Sequence, residues 1–313
     1  MSSNFKFVRT VAADLPAAQL GHAQCHEHIY LRKGPGYDMN PALCMDEYDR
    51  SLQELEAYRL AGGSTIVDAQ PGGFGRDEEK LLRLSKDSGV NIVAVTGFHK
   101  LCFLEDQELL GYSEDALTQR FSREITHGML NCSNAKAGVV KAAWDGDGPN
   151  DPEIRKFFGA VAGTAAQTGA PVLIHTEKDT RVFELLKFFE SYGVAPNRLL
   201  ICHLDRTIPD PVLHKEVMAA GCYLCYDSVN RLKYVSHRQE LSLISQMCRD
   251  GFADQIVLSL DTTAARLRSY GATDMGLDYL LRDFYPMLVE EGLDEHTIQK
   301  LYRTNAPHIL AMN

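Results

Sequence analysis

No apolar run in this chain approaches the length of a membrane-crossing helix, and Met1 to Pro16 lack the apolar core of a secretory leader. Basic residues are scarce: 32 Lys and Arg stand against 42 Asp and Glu, for a net charge of -10. With no Lys/Arg run either, nothing offers a nucleic acid an electrostatic footprint. No linker rich in Pro, Gly or Ser, no low-complexity tract and no internal repeat divides the sequence, so one domain over residues 1–313 is expected. A paired cysteine motif is also missing. Cys222 and Cys225 have redox or zinc spacing but no second pair, and strand residues three apart face opposite sides, so both are read as packing. The eight cysteines are scattered through apparent strands and helices. That distribution suggests reduced, buried thiols in a cytoplasmic protein.

What is present is ordinary globular material: 45% hydrophobic and 24% charged residues over 313 positions. That length is large for a common domain and usual for a (β/α)₈ barrel. Short apolar runs alternate with helical patterns throughout. The strands are expected at residues 21–31, 64–69, 91–96, 138–143, 171–175, 199–203, 222–227 and 255–261. Helices are expected between them, with two more at 274–291 and 294–302. Near-continuous apolar strands, each followed by a helix, belong to a parallel sheet, and eight such units is the barrel number. A doubly wound open sheet is the alternative, but it does not gather residues from every strand end around one point.

Polar residues interrupt this apolar pattern at chosen places. Cys25-His26-Glu27-His28 puts two imidazoles one residue apart, on the same side of a strand, with Glu27 facing away. Paired imidazoles suit zinc and related cations, although a His-x-His pair alone is weak evidence. His175 and His203 end two later strands, Asp261 ends the last, and Lys141 stands mid-strand among Val139, Val140, Ala142 and Ala143. Singly, each has a plain reading. A strand-end His is more often a hydrogen-bonded core residue, Asp261 can cap a turn, and Lys141 can pair with a buried acid. Together, at the strand ends of one barrel, they read as a metal centre.

With Phe74-Gly75-Arg76-Asp77, Thr96-Gly97-Phe98, Ala137 to Lys141 and Cys202 to Arg206 added in order, the pattern resembles the phosphotriesterase family of the amidohydrolase superfamily along essentially the whole chain. Thr96 to Lys100, His203 to Arg206 and Arg231 to Tyr234 are most similar to its sugar-lactonase branch. Leu260 before Asp261, Ala264 after it, and the order Asn305-Ala306-Pro307 depart from the family pattern.

The resemblance implies two divalent cations, zinc foremost, with manganese or cobalt as alternatives. His26, His28 and Asp261 would hold one, and His175 and His203 the other. Lys141 would bridge them as N6-carboxylysine, since an ammonium has no lone pair to give. A hydroxide shared by the metals would attack the ester, with Asp261 passing its proton to the leaving oxygen. His99, Lys100, Arg206, Lys233, Tyr234, Arg266 and Arg268 are the expected substrate-binding residues, a cationic group suited to an anionic small molecule. Each cation taken alone fits an ion pair with a loop acid equally well. The implied activity is a lactonase, the alternative a phosphotriester or phosphodiester hydrolase, and a homodimer is the family-based expectation. A barrel that binds without turnover is disfavoured because no ligand is missing.

Overall fold

In the computed structural model, residues 6–271 and 273–312 are described; the leader reading over Met1 to Pro16 therefore lies in part outside them. A small antiparallel hairpin, β1 (Phe7–Arg9) with β2 (Asp14–Pro16), precedes the main sheet. Eight parallel strands follow: β3 (His22–Glu27), β4 (Gly63–Asp68), β5 (Asn91–Gly97), β6 (Ala137–Ala143), β7 (Val172–His175), β8 (Leu199–Cys202), β9 (Tyr223–Tyr226) and β10 (Ile256–Leu258). Each strand pairs with the next in sequence order from β3 to β10. The result is a nearly closed (β/α)₈ barrel, as the alternation of runs implied.

Local chemistry places the helices. Asp77 caps the helix Glu78–Ser88 by accepting from Lys80 N at 2.9 Å, and Gly89 ends it in the left-handed conformation. Asp151 followed by Pro152 starts Pro152–Thr168, and Ser236 with Gln239 forms a capping box before His237–Met247. Gly97 is required for a different reason: its φ is +102°, and a Cβ there would run into the backbone of Lys141 on β6. That close approach gives Thr96-Gly97-Phe98 a structural meaning.

Two apolar layers result. Val67, Val95, Val139, Leu173, Leu200 and Val257 fill the barrel interior with Cys25, Cys202 and Cys225, while Ala306, Ile309 and Leu310 close its lower end. A larger layer packs the helices onto the outside of the sheet and includes Cys222. Cys222 and Cys225 thus fall on opposite sides of β9. The thiols are less uniformly buried than expected, however, because Cys102 is exposed. Asn305 Nδ2 donates to Ala253 O and Ile256 O, both at 2.7 Å, so Asn305 anchors the closing helix to β10.

Several boundaries differ from the sequence expectation. β10 ends at Leu258, not Asp261, and Asp261 sits beyond the strand at φ +48°. Residues 274–278 are not helical; the helix expected from 274 begins near Leu280, because Arg268 and Met275 draw that stretch into a loop through Arg268 N to Met275 O. The barrel seam between β3 and β10 is closed largely by side chains. Glu27 accepts from Ser259 Oγ, Leu260 N, Thr262 N and Thr262 Oγ1 at 2.7–3.1 Å.

Candidate active site at the barrel mouth

The C-terminal strand ends converge on a cavity of about 490 Å³ whose lining includes His26, His28, His99, His175 and Asp261. β3 ends at Glu27, so His28 leaves the regular strand, and the β3–β4 pairing shifts register just before it. The two imidazoles still converge: His26 Nε2 lies 3.8 Å and His28 Nε2 3.5 Å from Asp261 Oδ1. His203 and His175 form a second pair, with His203 Nε2 2.8 Å from His175 Nδ1. His203 Nδ1 is held by Asp227 Oδ1 at 2.6 Å. His175 Nε2 faces Glu177 Oε1 at 3.1 Å.

Two of these residues carry backbone strain. His203 has φ +70° and Asp261 φ +48°, a region non-glycine residues rarely occupy. Such positions persist where the surrounding fold over-determines them, commonly at functional sites.

The electrostatics of three of the four histidines suit cation binding; His26 is the exception, since burial lowers it but Cys202 and Asp227 raise it to about 10. Burial pushes His28 and His175 down to about 4 and His203 well below the usual imidazole range, leaving neutral rings with lone pairs. Burial opposes ionisation of Asp261, but Arg231 and Arg206 overcome it and hold the carboxyl well below its ordinary value. Both guanidinium groups lie 2.9 Å from Asp261 Oδ2, leaving Oδ1 to face the histidines. His26, His28 and Asp261 present donor atoms within 4.8 Å of one another, and the Nδ1 atoms of both histidines lack a hydrogen-bond partner. This donor set fits a divalent cation.

Lys141 does not line the cavity. It is fully buried, and its Nζ donates to Ala69 O at 2.6 Å. Burial lowers it to about 8, against the pull of Asp261 and other acids. Its charge depresses His28, His99 and His175, which places it electrically beneath the site.

The expected substrate-binding residues divide. His99, Lys100, Lys233, Tyr234 and Arg266 line the cavity. Arg206 lies behind Asp261 and lines an adjoining cavity, which shares Lys100, His175, Glu177 and Tyr234 with the first. Arg268 is not brought in: it turns away to pair with Asp278, NH1 lying 3.1 Å from Oδ2. Lys100 is paired too, with Glu177 Oε1 at 2.8 Å. Lys233 makes no ion pair among the described residues and lies 4.6 Å from the Tyr234 ring centroid.

Two contributors were missing from the sequence expectation. Arg231, quoted there only as part of a run, reaches Asp261 itself. Glu177 joins Lys100 to His175, and its place two residues after a strand-end His was the available signal.

The model of the phosphotriesterase family matches residues 6–310. The chain belongs to the phosphotriesterase family. It is accordingly a hydrolase acting on ester bonds. A phospho-furanose lactonase of Mycoplasmopsis synoviae (strain 53) is 32% identical over 330 residues, spanning 98% of this chain and 92% of the relative. A solved lactonase of Listeria monocytogenes superposes with a TM-score of 0.89 at 27% identity, covering 97% of this chain and 98% of that one. An amidohydrolase of Mycoplasma synoviae gives 0.91 at 30% identity, with 99% and 93% covered.

Proposed function

We propose that this family member opens a sugar lactone bearing an anionic group, using two divalent cations. The observation carrying this reading is one cavity lined by the neutral imidazoles of His28 and His175 and by Asp261, with Lys233, Lys100 and Arg266 in its wall. His26, His28 and Asp261 would hold one ion and His175 and His203 the other, with zinc proposed and manganese or cobalt as alternatives. When bound, such a pair polarises an ester carbonyl and brings the pKa of water toward neutrality.

The chain's own groups supply the rest. Lys141, drawn down toward neutrality by burial, offers an amine that adds CO₂, releases a proton and becomes the carbamate of N6-carboxylysine. That turns a repelling cation into an anion with two ligand oxygens. Asp261 accepts the proton of the attacking water and returns it to the ring oxygen that leaves as the product hydroxyl. Arg206 and Arg231 keep Asp261 ionised and aimed. Glu177 fixes the His175 ring and holds Lys100 at the wall. Lys233 and Tyr234, on the loop after β9, meet the anionic group of the substrate. The names of the lactonase relatives support the ester class. The reading takes the chain as one domain in the cytoplasm, on its scattered thiols, with a homodimer as the family expectation.

Initial rates on phosphorylated, carboxylated and neutral sugar lactones, and on phosphotriesters and phosphodiesters, test it after reconstitution with metal and bicarbonate. Anionic lactones should be turned over fastest. Phosphoesters hydrolysed far faster than any lactone would replace this reading with the phosphoester one.

A further inference from the structure

Beneath the two histidine pairs lie two thiols that the proposed reaction does not use. Cys202 on β8 and Cys225 on β9 are directly paired in register, and both side chains point into the barrel interior. Asp227 follows Cys225 by two residues on the same side. Ligand atoms of all three residues lie within 4.8 Å of one another, and all three side chains are fully buried. Atoms no farther apart than that can share a centre about 2.8 Å away (4.8 Å divided by √3), so small shifts reach the roughly 2.3 Å of a zinc–sulfur bond.

A second observation points to a ligand. Asp227 uses Oδ1 to hold His203, while the buried Oδ2 faces His26 Nδ1 at 3.3 Å in an ion pair that makes no well-formed hydrogen bond on either side. A buried carboxylate oxygen with only this loose ionic contact is incompletely satisfied, and a cation satisfies it better. Ordinary packing explains buried thiols but not this oxygen.

We propose that Cys202, Cys225 and Asp227 form a further cation site, selective for a soft, thiophilic metal such as cadmium or surplus zinc. Two thiols release their protons to solvent as two sulfur–metal bonds form, and an Asp227 carboxylate oxygen completes the set. The occupant is inhibitory. It competes with His203 and His26 for Asp227, whose grip sets the orientation of His203. Hard cations such as magnesium do not compete, because thiolate sulfur suits them poorly. Burial means entry past the histidines, so inhibition develops slowly.

Cadmium titration of the metal-loaded protein tests this without substrate. The wild type should take up one cadmium ion per chain beyond its resident metal, with an ultraviolet sulfur-to-cadmium charge-transfer band. Cys225→Ala should lose both the extra ion and the band while retaining the resident metal, and its hydrolytic rate should resist cadmium. Cys202→Ser serves the same purpose should Cys225→Ala fail to fold. Cys102→Ser, at the exposed thiol, should leave the band intact. A band unchanged in Cys225→Ala or Cys202→Ser, or abolished by Cys102→Ser, overturns the site. Since uptake and band are read with no lactone present, their outcome stands apart from the substrate assignment.

Discussion

His203 Nδ1 lies 2.6 Å from Asp227 Oδ1, and this contact decides which nitrogen of the imidazole is left to face the cavity. With Nδ1 donating to the carboxylate, Nε2 keeps its lone pair and points at the His175 ring. The left-handed backbone of His203 then reads as the conformation needed to bring that ring inward from the end of β8.

The contact yields the first prediction. Asp227→Asn keeps the shape but removes the charge that fixes the His203 tautomer. Partners that orient a ligating histidine commonly contribute 10- to 100-fold in metal affinity, so the ion held by His203 should bind about 10- to 100-fold more weakly. Elemental analysis after dialysis against graded chelator checks this; wild-type retention would mean that Asp227 does not set the ring.

Lys141 carries the second prediction. Among the described residues its ammonium has one carbonyl partner, Ala69 O, and no carboxylate hydrogen-bonded to it. Lys141→Ala should lose one of two bound ions and most activity, and a short-chain carboxylic acid that bridges in place of the carbamate should restore part of both. Normal metal content and rate in Lys141→Ala without added acid would refute the carbamate.

Much of this site was legible in the sequence because parallel strands buried on both faces are near-continuously apolar, so a His, Lys or Asp within or after one stands out. His175, His203 and Lys141 were visible for that reason. The period-two argument for His26 and His28 reached the right convergence by an incomplete route: the strand ends between them, and Asp261 supplies the common target. Arg268 was placed by its distance from Asp261 in sequence, but a loop has no fixed period, and Asp278 draws it away. Arg231 was obscured for the same reason. Glu27, read as facing away from the metals, is better described as the group closing the barrel seam through Ser259 and Thr262. No sequence pattern announces a bond between residues so far apart in the chain.

The third prediction concerns pH and a buried pair of acids, Asp205 and Glu240. Burial, and then the charge of Asp227, push Asp205 up to about 7. Burial, and then Asp205, push Glu240 well above its usual value. Oxygens of both carboxyl groups lack hydrogen-bond partners, which a shared proton supplies. Because the folded chain binds this proton more tightly than the unfolded chain, the pair's contribution is present at low pH. It is lost as pH rises from the ordinary carboxylate range through about 7. Glu240→Gln replaces the proton with a permanent amide donor. Its Tm should therefore fall less than that of the wild type between pH 5 and pH 8, on an order-of-magnitude reading of the linkage. Parallel Tm curves for the two proteins would show that the pair does not titrate in that window.

The last prediction separates the substrate's anionic group from its ester. Lys100, Arg206 and Arg231 already have acidic partners, and Arg266 donates to the carbonyls of Leu260 and Val229. Recruiting any of these for substrate means breaking an existing contact. Lys233 differs, lining the cavity with no ion pair among the described residues. Its ammonium is the cation most available to an incoming phosphate or carboxylate. A charge-assisted hydrogen bond is worth roughly 1.5–3 kcal/mol, so Lys233→Ala should lower kcat/KM for an anionic lactone by about 10- to 150-fold. A neutral lactone of the same ring should change little, since it offers the ammonium no charge. Steady-state kinetics on such a matched pair of substrates makes the comparison. An equal loss on both would place Lys233 in holding the loop after β9, and the anionic group would then have to be met by breaking the Lys100–Glu177 pair instead.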